Sequence, residues 1–304
     1  MLRNEFYPVG QHVRALFLSD VHLGYRCTQA EKLLQLLHSV RPEKIYLVGD
    51  FIDGWRLRRR WHWRPIDMQL LQRLLELESS GTELFYTPGN HDEFFRTILK
   101  EHNGTLGLVQ VAEEFRYQTA TGETWLVLHG DQFEHELEQA SWLKSVGGNA
   151  YDALVALDHH FNRMLRWFKF DEYRFSSKVK QRIGRALRFI QAYEQRLIEH
   201  AAARGCQGVI CGHIHMPRLD TSRTVRYANT GDWVEHCTAL VERTDGIWQL
   251  LSYAVPAAPR VMTLFAPALG SETRQFELEE EFREHGADDP HGMIARAAQD
   301  PLVI

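Results

Sequence analysis

The chain has 304 residues, 44% of them hydrophobic, and a formal net charge of −5. That composition supplies a sizeable core and excludes wholesale disorder, and the length suits one large domain or one domain with an insert and a tail. The charge is too mild to name a partner, and no apolar run approaches the roughly 18 residues of a membrane span.

From the N-terminus, MLRNEFYPVGQHVR lacks the apolar core of a secretory signal. The four cysteines, Cys27, Cys206, Cys211 and Cys237, form no C-x-x-C pair. They are expected to be reduced thiols in a cytoplasmic protein, with any membrane contact peripheral. VRALFL (13–18) reads as a short buried strand running into SDVHLG. EKIYLVGD (43–50), ELFYTPGNHD (83–92), WLVLHGD (125–131) and GVICGHIH (208–215) repeat the pattern of an apolar run closed by a polar cluster. AEKLLQLLHSV (30–40) and DMQLLQRLLELES (67–79) carry Leu at helical spacing between the first three. Strand–helix alternation predicts an α/β sheet covered on both faces, and sites in such sheets form outside the carboxyl ends of the strands.

Region 133–203 breaks the rhythm. Ala150, Leu154, Leu157, Phe161, Leu165 and Phe168 mark one helical face, and Val179, Ile183, Leu187, Ile190, Tyr193 and Leu197 a second. A helical insert or cap is expected there. Residues 1–258 are expected to form the main domain with that insert, and 259–304 a partly acidic tail containing ELEEEFREHGADD.

The polar clusters are Asp20-x-His22, Gly49-Asp50-x-x-Asp53, Gly89-Asn90-His91-Asp92, His129-Gly130-Asp131 and Gly212-His213-x-His215. Singly, each reads as a turn or a surface histidine. Together, at five strand ends, they offer carboxylate and imidazole donors for divalent metals of intermediate softness. Asp20, His22, Asp50, Asn90, His129, His213 and His215 are too many donors for one ion. Two ions sharing a carboxylate would use them all, the arrangement that clamps an in-line phosphoryl displacement.

This set of motifs resembles the calcineurin-like metallophosphoesterase family, over roughly residues 13–255. The resemblance implies a four-layer α/β/β/α sandwich with a helical cap insert, and a dinuclear hydrolase. It places one ion on Asp20, His22, Asp50 and His215, and the other on Asp50, Asn90, His129 and His213, with Asp50 bridging. Manganese is the expected metal, with zinc and iron as alternatives. His91 would act as general acid or transition-state donor, oriented by Asp92. The residues agree on roles: a carboxylate has one oxygen for each ion, and His91 is not needed as a ligand.

Within the family the chain resembles UDP-2,3-diacylglucosamine pyrophosphohydrolases, which release UMP and lipid X in lipid A synthesis. GDFIDGWR, the insert between the His129 and His213 strands, and NTGDWVEHCTALV (229–241) carry that likeness. Characterised enzymes of this kind have Arg in place of His91. The likeness implies an acylated nucleotide sugar as substrate. GWRLRRRWHWR (54–64) packs five Arg and three Trp after the second cluster, and Arg56, Arg59, Arg60 and Trp61 are expected substrate contacts. Residues 162–188 hold nine Lys or Arg against two acids. Arg163 and Arg166 there are expected to meet the diphosphate, and the basic aromatic surface suits an anionic membrane. Rival readings are a phosphodiesterase or phosphatase for a soluble nucleotide or phosphoprotein, a single-strand nuclease, and a non-enzymatic scaffold. Nucleic acid is not the expected partner. The oligomeric state is left open.

Overall fold

Leu16 and Leu18 of strand β1 (Gln11–Leu18) face one side of their sheet, and Ala15 and Phe17 the other; all four are buried. Both faces of this strand must therefore be covered. The computed structural model describes residues 10–101, 105–134, 177–253 and 260–263, all within the unit Met1–Pro267.

β1 lies in an eight-stranded sheet. From β1 the sheet continues in parallel through β2 (Val40–Val48), β3 (Glu83–Thr87) and β5 (Val109–Val111), with β4 (Thr105–Leu106) antiparallel at the edge. β11 (Thr238–Arg243), β12 (Trp248–Ser252) and β13 (Arg260–Thr263) extend it antiparallel on the other side of β1. A second sheet of five strands runs β6 (Glu114–Gln118), β7 (Thr124–Leu128), β8 (Gly208–Cys211), β10 (Arg226–Asn229) and β9 (Arg218–Asp220).

Parallel neighbours need crossovers, and helices α1 (Ala30–Ser39) and α3 (Pro65–Ser79) provide them. Pro65 opens α3, where its missing N–H costs nothing, and the Asp67 carboxylate accepts the Arg64 backbone N–H at 2.9 Å. The buried stripes Leu33–Leu36–Leu37 and Leu70–Leu74–Leu77 lay both helices on the outer face of the first sheet. Short helices α2 (Gly54–Arg59) and α4 (Phe94–Glu101) follow β2 and β3. The inner faces of the two sheets meet over a mostly aromatic core. Phe85, Tyr46 and Phe17 stack across adjacent strands at 4.4 and 4.9 Å, and Phe17 meets Trp248, which stacks on Trp125 at 4.6 Å. Helix α5 (Ser177–Ala203) covers the outer face of the second sheet through Tyr193, Leu197 and Ala201. The result is the four-layer α/β/β/α sandwich.

Two boundaries differ from expectation. The C-terminal half of α5 belongs to the sandwich rather than to a separate insert, because its 193–197–201 stripe is buried on β7 and β8. Leu187, expected on its apolar face, is exposed. The first predicted helical face, 150–168, lies outside the described residues. Past 258, β13 pairs with β12 through Val261 and Leu251, so the start of the expected tail completes the sheet.

Phe17 is the centre of the stacked inner core. Phe17→Ala is expected to lower the unfolding free energy by about 3–5 kcal/mol, read from urea denaturation.

Candidate metal centre

β1, β2 and β3 lie side by side in the first sheet, and β7 and β8 in the second. Their carboxyl ends deliver Asp20 and His22, Asp50, Asn90 and His91, His129, and His213 and His215 to one edge. The chain makes these turns under strain. Of the six described non-glycine residues with positive φ, five are Asp20, His22, Asp50, His213 and His215, at 50° to 69°. A left-handed backbone at a side-chain-bearing residue persists only when the surroundings enforce it, and it concentrates at working sites. The surroundings here are hydrogen bonds between loops. Asp20 N–H donates to Gly49 O at 3.1 Å and His22 N–H to Asp50 O at 2.9 Å. Across the sheets, His213 N–H donates to Asp20 Oδ2 at 3.0 Å.

Space is as tight as the backbone. A Cβ on Gly89 would stand 2.1 Å from Asp50 Oδ1 and 2.7 Å from His129 Nε2, and one on Gly212 would stand 2.5 Å from Asp20 Oδ2. Only glycine admits the carboxylates at these two places.

Three groups of donors emerge, with ligating atoms within 4.8 Å of one another: Asp20, His22 and His215; His22, Asp50 and His91; Asp50, His129 and His213. Asp50 appears in two of them, beside His22 and beside His129, which is the position of a shared carboxylate. Asp20 Oδ1, His22 Nε2, Asn90 Oδ1 and His129 Nε2 are buried with no hydrogen-bond partner among the described residues. His215 Nε2 lies 3.0 Å from Asp20 Oδ1 without hydrogen-bond geometry. Buried polar atoms left unpaired are costly, and unpaired donors within these linked groups fit divalent cations.

The electrostatics point the same way. Burial works against charge on His129 and His215, yet the carboxylates prevail: Asp50 raises His129 well above its usual range, and Asp20 raises His215 to about 9. Burial would raise Asp50, but His129 and His22 hold it well below the carboxylate range. Potential that draws protons onto imidazoles will also draw metal ions.

Groups around the donors set their orientation. His129 Nδ1 is 2.9 Å from Val48 O, turning Nε2 to the centre. Asn229 Nδ2 donates to Gly212 O at 2.7 Å, bracing the turn before His213. His213 Nε2 lies 2.6 Å from Glu134 Oε2. Asp53 supports two histidines, with Oδ1 3.2 Å from His91 Nδ1 and Oδ2 3.5 Å from His22 Nδ1. Burial opposes a charge on His91, but its bond to Asp53 and the nearby Asp50 raise its pKa.

Asp53, not Asp92, is therefore the carboxylate at His91. Asp92 accepts instead from Gly89 N–H at 2.6 Å, Phe51 N–H at 2.8 Å, Ile52 N–H at 3.3 Å and the Tyr86 hydroxyl. It pins the ends of β2 and β3 together, and those donors leave it none for His91. Trp55, half-exposed, lies against His91 with ring centroids 4.2 Å apart. Trp55, Asn90, Glu134 and His213 share the wall of a cavity of about 550 Å³. Asp53 stood in the sequence as part of the second motif, but only the fold assigns it to His91; Glu134 had no signal.

The expected substrate contacts divide. Arg56 is committed elsewhere: its Nε is 3.1 Å from Asp53 Oδ2 and its guanidinium lies 3.8 Å above the Tyr25 ring. Arg59, Arg60 and Trp61 are exposed, with Trp61 beside Trp63 at 6.1 Å. Arg163 and Arg166 lie outside the described residues.

Two facing sheets with a carboxylate and imidazole centre across their carboxyl ends define a metal-dependent phosphoesterase. The family model for calcineurin-like phosphoesterases matches residues 13–217, and the chain belongs to that family; it is a metal-dependent hydrolase. The UDP-2,3-diacylglucosamine hydrolase of Edwardsiella ictaluri (strain 93-146) is 23% identical over 268 residues, which cover 82% of this chain and 95% of the relative. That of Tolumonas auensis (strain DSM 9187 / NBRC 110442 / TA 4) is 24% identical over 228 residues, 72% of this chain and 88% of the relative. Among solved structures, wild-type Vps29 from Entamoeba histolytica aligns over 82% of this chain and 97% of its own at 12% identity, with a TM-score of 0.42.

Gly89→Ala is expected to abolish metal loading without unfolding the sandwich, read by elemental analysis beside circular dichroism. Metal ions require neutral imidazole, while His129 and His215 hold protons below their raised pKa values. Metal affinity is therefore expected to rise with pH to about 9 and fall as the medium is acidified. Calorimetric titrations at several pH values measure the slope.

Proposed function

We propose that the chain holds two divalent cations, one at Asp20, His22 and His215 with Asp50, the other at Asp50, Asn90, His129 and His213. With them it hydrolyses the phosphoanhydride of an acylated nucleotide sugar, UDP-2,3-diacylglucosamine, to UMP and lipid X. The observation that carries the metal assignment is the chain of donor groups linked through Asp50, in which Asp20 Oδ1, His22 Nε2 and His129 Nε2 are buried with no hydrogen-bond partner among the described residues; Asn90 Oδ1, next to Gly89, is buried and unpartnered in the same way. The names of the aligned relatives support the substrate. Manganese is the metal proposed first, with zinc or iron able to occupy the same donors.

When bound, such a pair supplies Lewis-acid polarisation of phosphoryl oxygens and a water nucleophile near neutral pH. The chain's own residues do the rest. Asp50 belongs to the donor groups of both His22 and His129, so its carboxylate would serve both ions. Asn90 adds an oxygen donor without adding negative charge. Asp53 fixes His91 through Nδ1 and leaves the other ring nitrogen for the substrate. Asp53 beside Nδ1 favours the protonated ring, and His91 is placed to give a proton or hydrogen bond to a departing or phosphoryl oxygen. Trp55 walls the same side with an apolar face. The exposed Arg59, Arg60 and Trp61 suit a cytoplasmic enzyme working peripherally at an anionic bilayer, where an acylated substrate resides.

One observation favours a second reading. The phosphate monoester that departs from a diphosphate scarcely needs protonation, whereas an alcohol does, and the His91–Asp53 pair is built to deliver a proton. An alkyl phosphodiester is the competing substrate.

Manganese-loaded protein assayed on UDP-2,3-diacylglucosamine, bis-p-nitrophenyl phosphate, an alkyl phosphodiester and single-stranded DNA separates these. Release of UMP is expected; turnover of the diesters alone would overturn the lipid assignment. His91→Ala is expected to keep its metal and lose about 10²–10⁴ in rate. Asp50→Ala is expected to lose both metal and turnover, as elemental analysis beside the assay would report.

A further inference from the structure

Arg96, on α4, belongs to none of the metal-donor motifs. Its Nη2 donates to Pro88 O at 3.1 Å and to Asp131 Oδ1 at 2.9 Å, and its Nε donates to Glu113 Oε2 at 3.1 Å. Pro88 directly precedes Gly89, Asn90 and His91, at the end of β3 in the eight-stranded sheet. Asp131 follows His129 and Gly130, at the end of β7 in the five-stranded sheet. One guanidinium therefore joins the site-bearing ends of two sheets that share no backbone ladder.

The joint is sheltered. The Asp131 side chain is 7% exposed and that of Arg96 26%. A hydrogen-bonded ion pair in such a place is stronger and more directional than a surface one. Its placement is one-sided. Asp50 and Asn90 come from the first sheet and His129 and His213 from the second, so the separation of the sheets at this edge sets the size of that donor group. The other group is tied differently. Asp20 meets the second sheet through its own carboxylate, which accepts His213 N–H at 3.0 Å, and its carbonyl accepts Trp233 N–H at 3.1 Å.

We propose that Arg96 is a positioning residue for one of the two metal positions. By bridging Pro88 O to Asp131 it sets the spacing of Asp50, Asn90, His129 and His213, and it leaves the Asp20, His22 and His215 position nearly untouched. Lysine replaces the planar fork with a point charge and cannot hold both acceptors in the same geometry. The inference rests on the two-ion reading above.

The test is a Mn²⁺ titration of the full chain, followed by calorimetry and electron paramagnetic resonance. Wild type, Arg96→Gln, Arg96→Lys and Glu113→Gln are compared, with circular dichroism as the check on folding. Wild type is expected to take two ions and give a spin-coupled signal. Arg96→Gln should bind one ion as wild type does and the other about 10–100-fold more weakly, with a mononuclear six-line signal at intermediate metal. Arg96→Lys should fall between them, and Glu113→Gln, which removes only the charge of the outer contact, should match wild type. Equal weakening of both ions in folded Arg96→Gln, or no weakening, overturns the proposal. Should Arg96→Gln fail to fold, Asp131→Ala, which removes the acceptor oxygens, breaks the bridge from its other end. The same selective loss is then expected, and undisturbed binding of both ions overturns the proposal. A wild type that binds fewer than two ions overturns the two-ion reading, and this inference with it. Two ions in wild type with no effect of Arg96 sinks this inference alone.

Discussion

A buried carboxylate must find positive charge or hydrogen-bond donors, and this requirement organises the edge where the two sheets meet. Asp92 is supplied by three backbone N–H groups and the Tyr86 hydroxyl. Asp53 has Arg56, His22 and His91. Asp232 has the amides of Val234, Glu235 and His236 and the ring of His236. Asp20 and Asp50 receive one backbone N–H each, from His213 and His91. Otherwise they face imidazoles, and Asp20 Oδ1 has no hydrogen-bond partner among the described residues. The satisfied carboxylates build the frame, and the incompletely satisfied ones are its purpose.

The sandwich keeps that edge in place. Five residues of the donor clusters hold left-handed backbone that their side chains disfavour. Gly89 and Gly212 leave no room for a side chain against Asp50 and Asp20. Such geometry persists because the strands beneath are fixed by the stacked aromatic core between the sheets and by α1, α3 and α5 outside them. Stability in the layers and strain at the rim are two aspects of one design: a rigid support lets the loops hold donors closer than relaxed turns would.

Much of this was legible in the sequence because the chemistry lies where strands end. A run such as VRALFL is recognisable by its residue types, and the Asp and His after it stand out against it. The five runs that predicted strands each contain one, and their closing residues meet at one edge. Less legible was what depends on depth and direction. Asp92 adjoins His91 in sequence, but the turn buries it among backbone amides, while Asp53, 38 positions away, reaches the ring. Arg96 on α4 and Asp131 past the end of β7 lie 35 positions apart, and no local pattern links them. The helical repeat from Val179 to Leu197 marked an apolar face without revealing that the second sheet lay beneath its end. β13 was obscured because four residues at a sheet edge resemble the start of a tail.

In the proposed function, substrate choice falls further out, to Trp55, the exposed Arg59, Arg60 and Trp61, and the cavity beside Asn90 and His213. It matters only if the centre holds its metals. The most direct test is anomalous diffraction at the manganese edge from crystals of the metal-loaded protein. The account predicts two peaks about 3.5–4 Å apart on either side of the Asp50 carboxylate, one beside Asp20, His22 and His215, the other beside Asn90, His129 and His213. A single peak away from Asp50, or none with the donors still clustered, would contradict it.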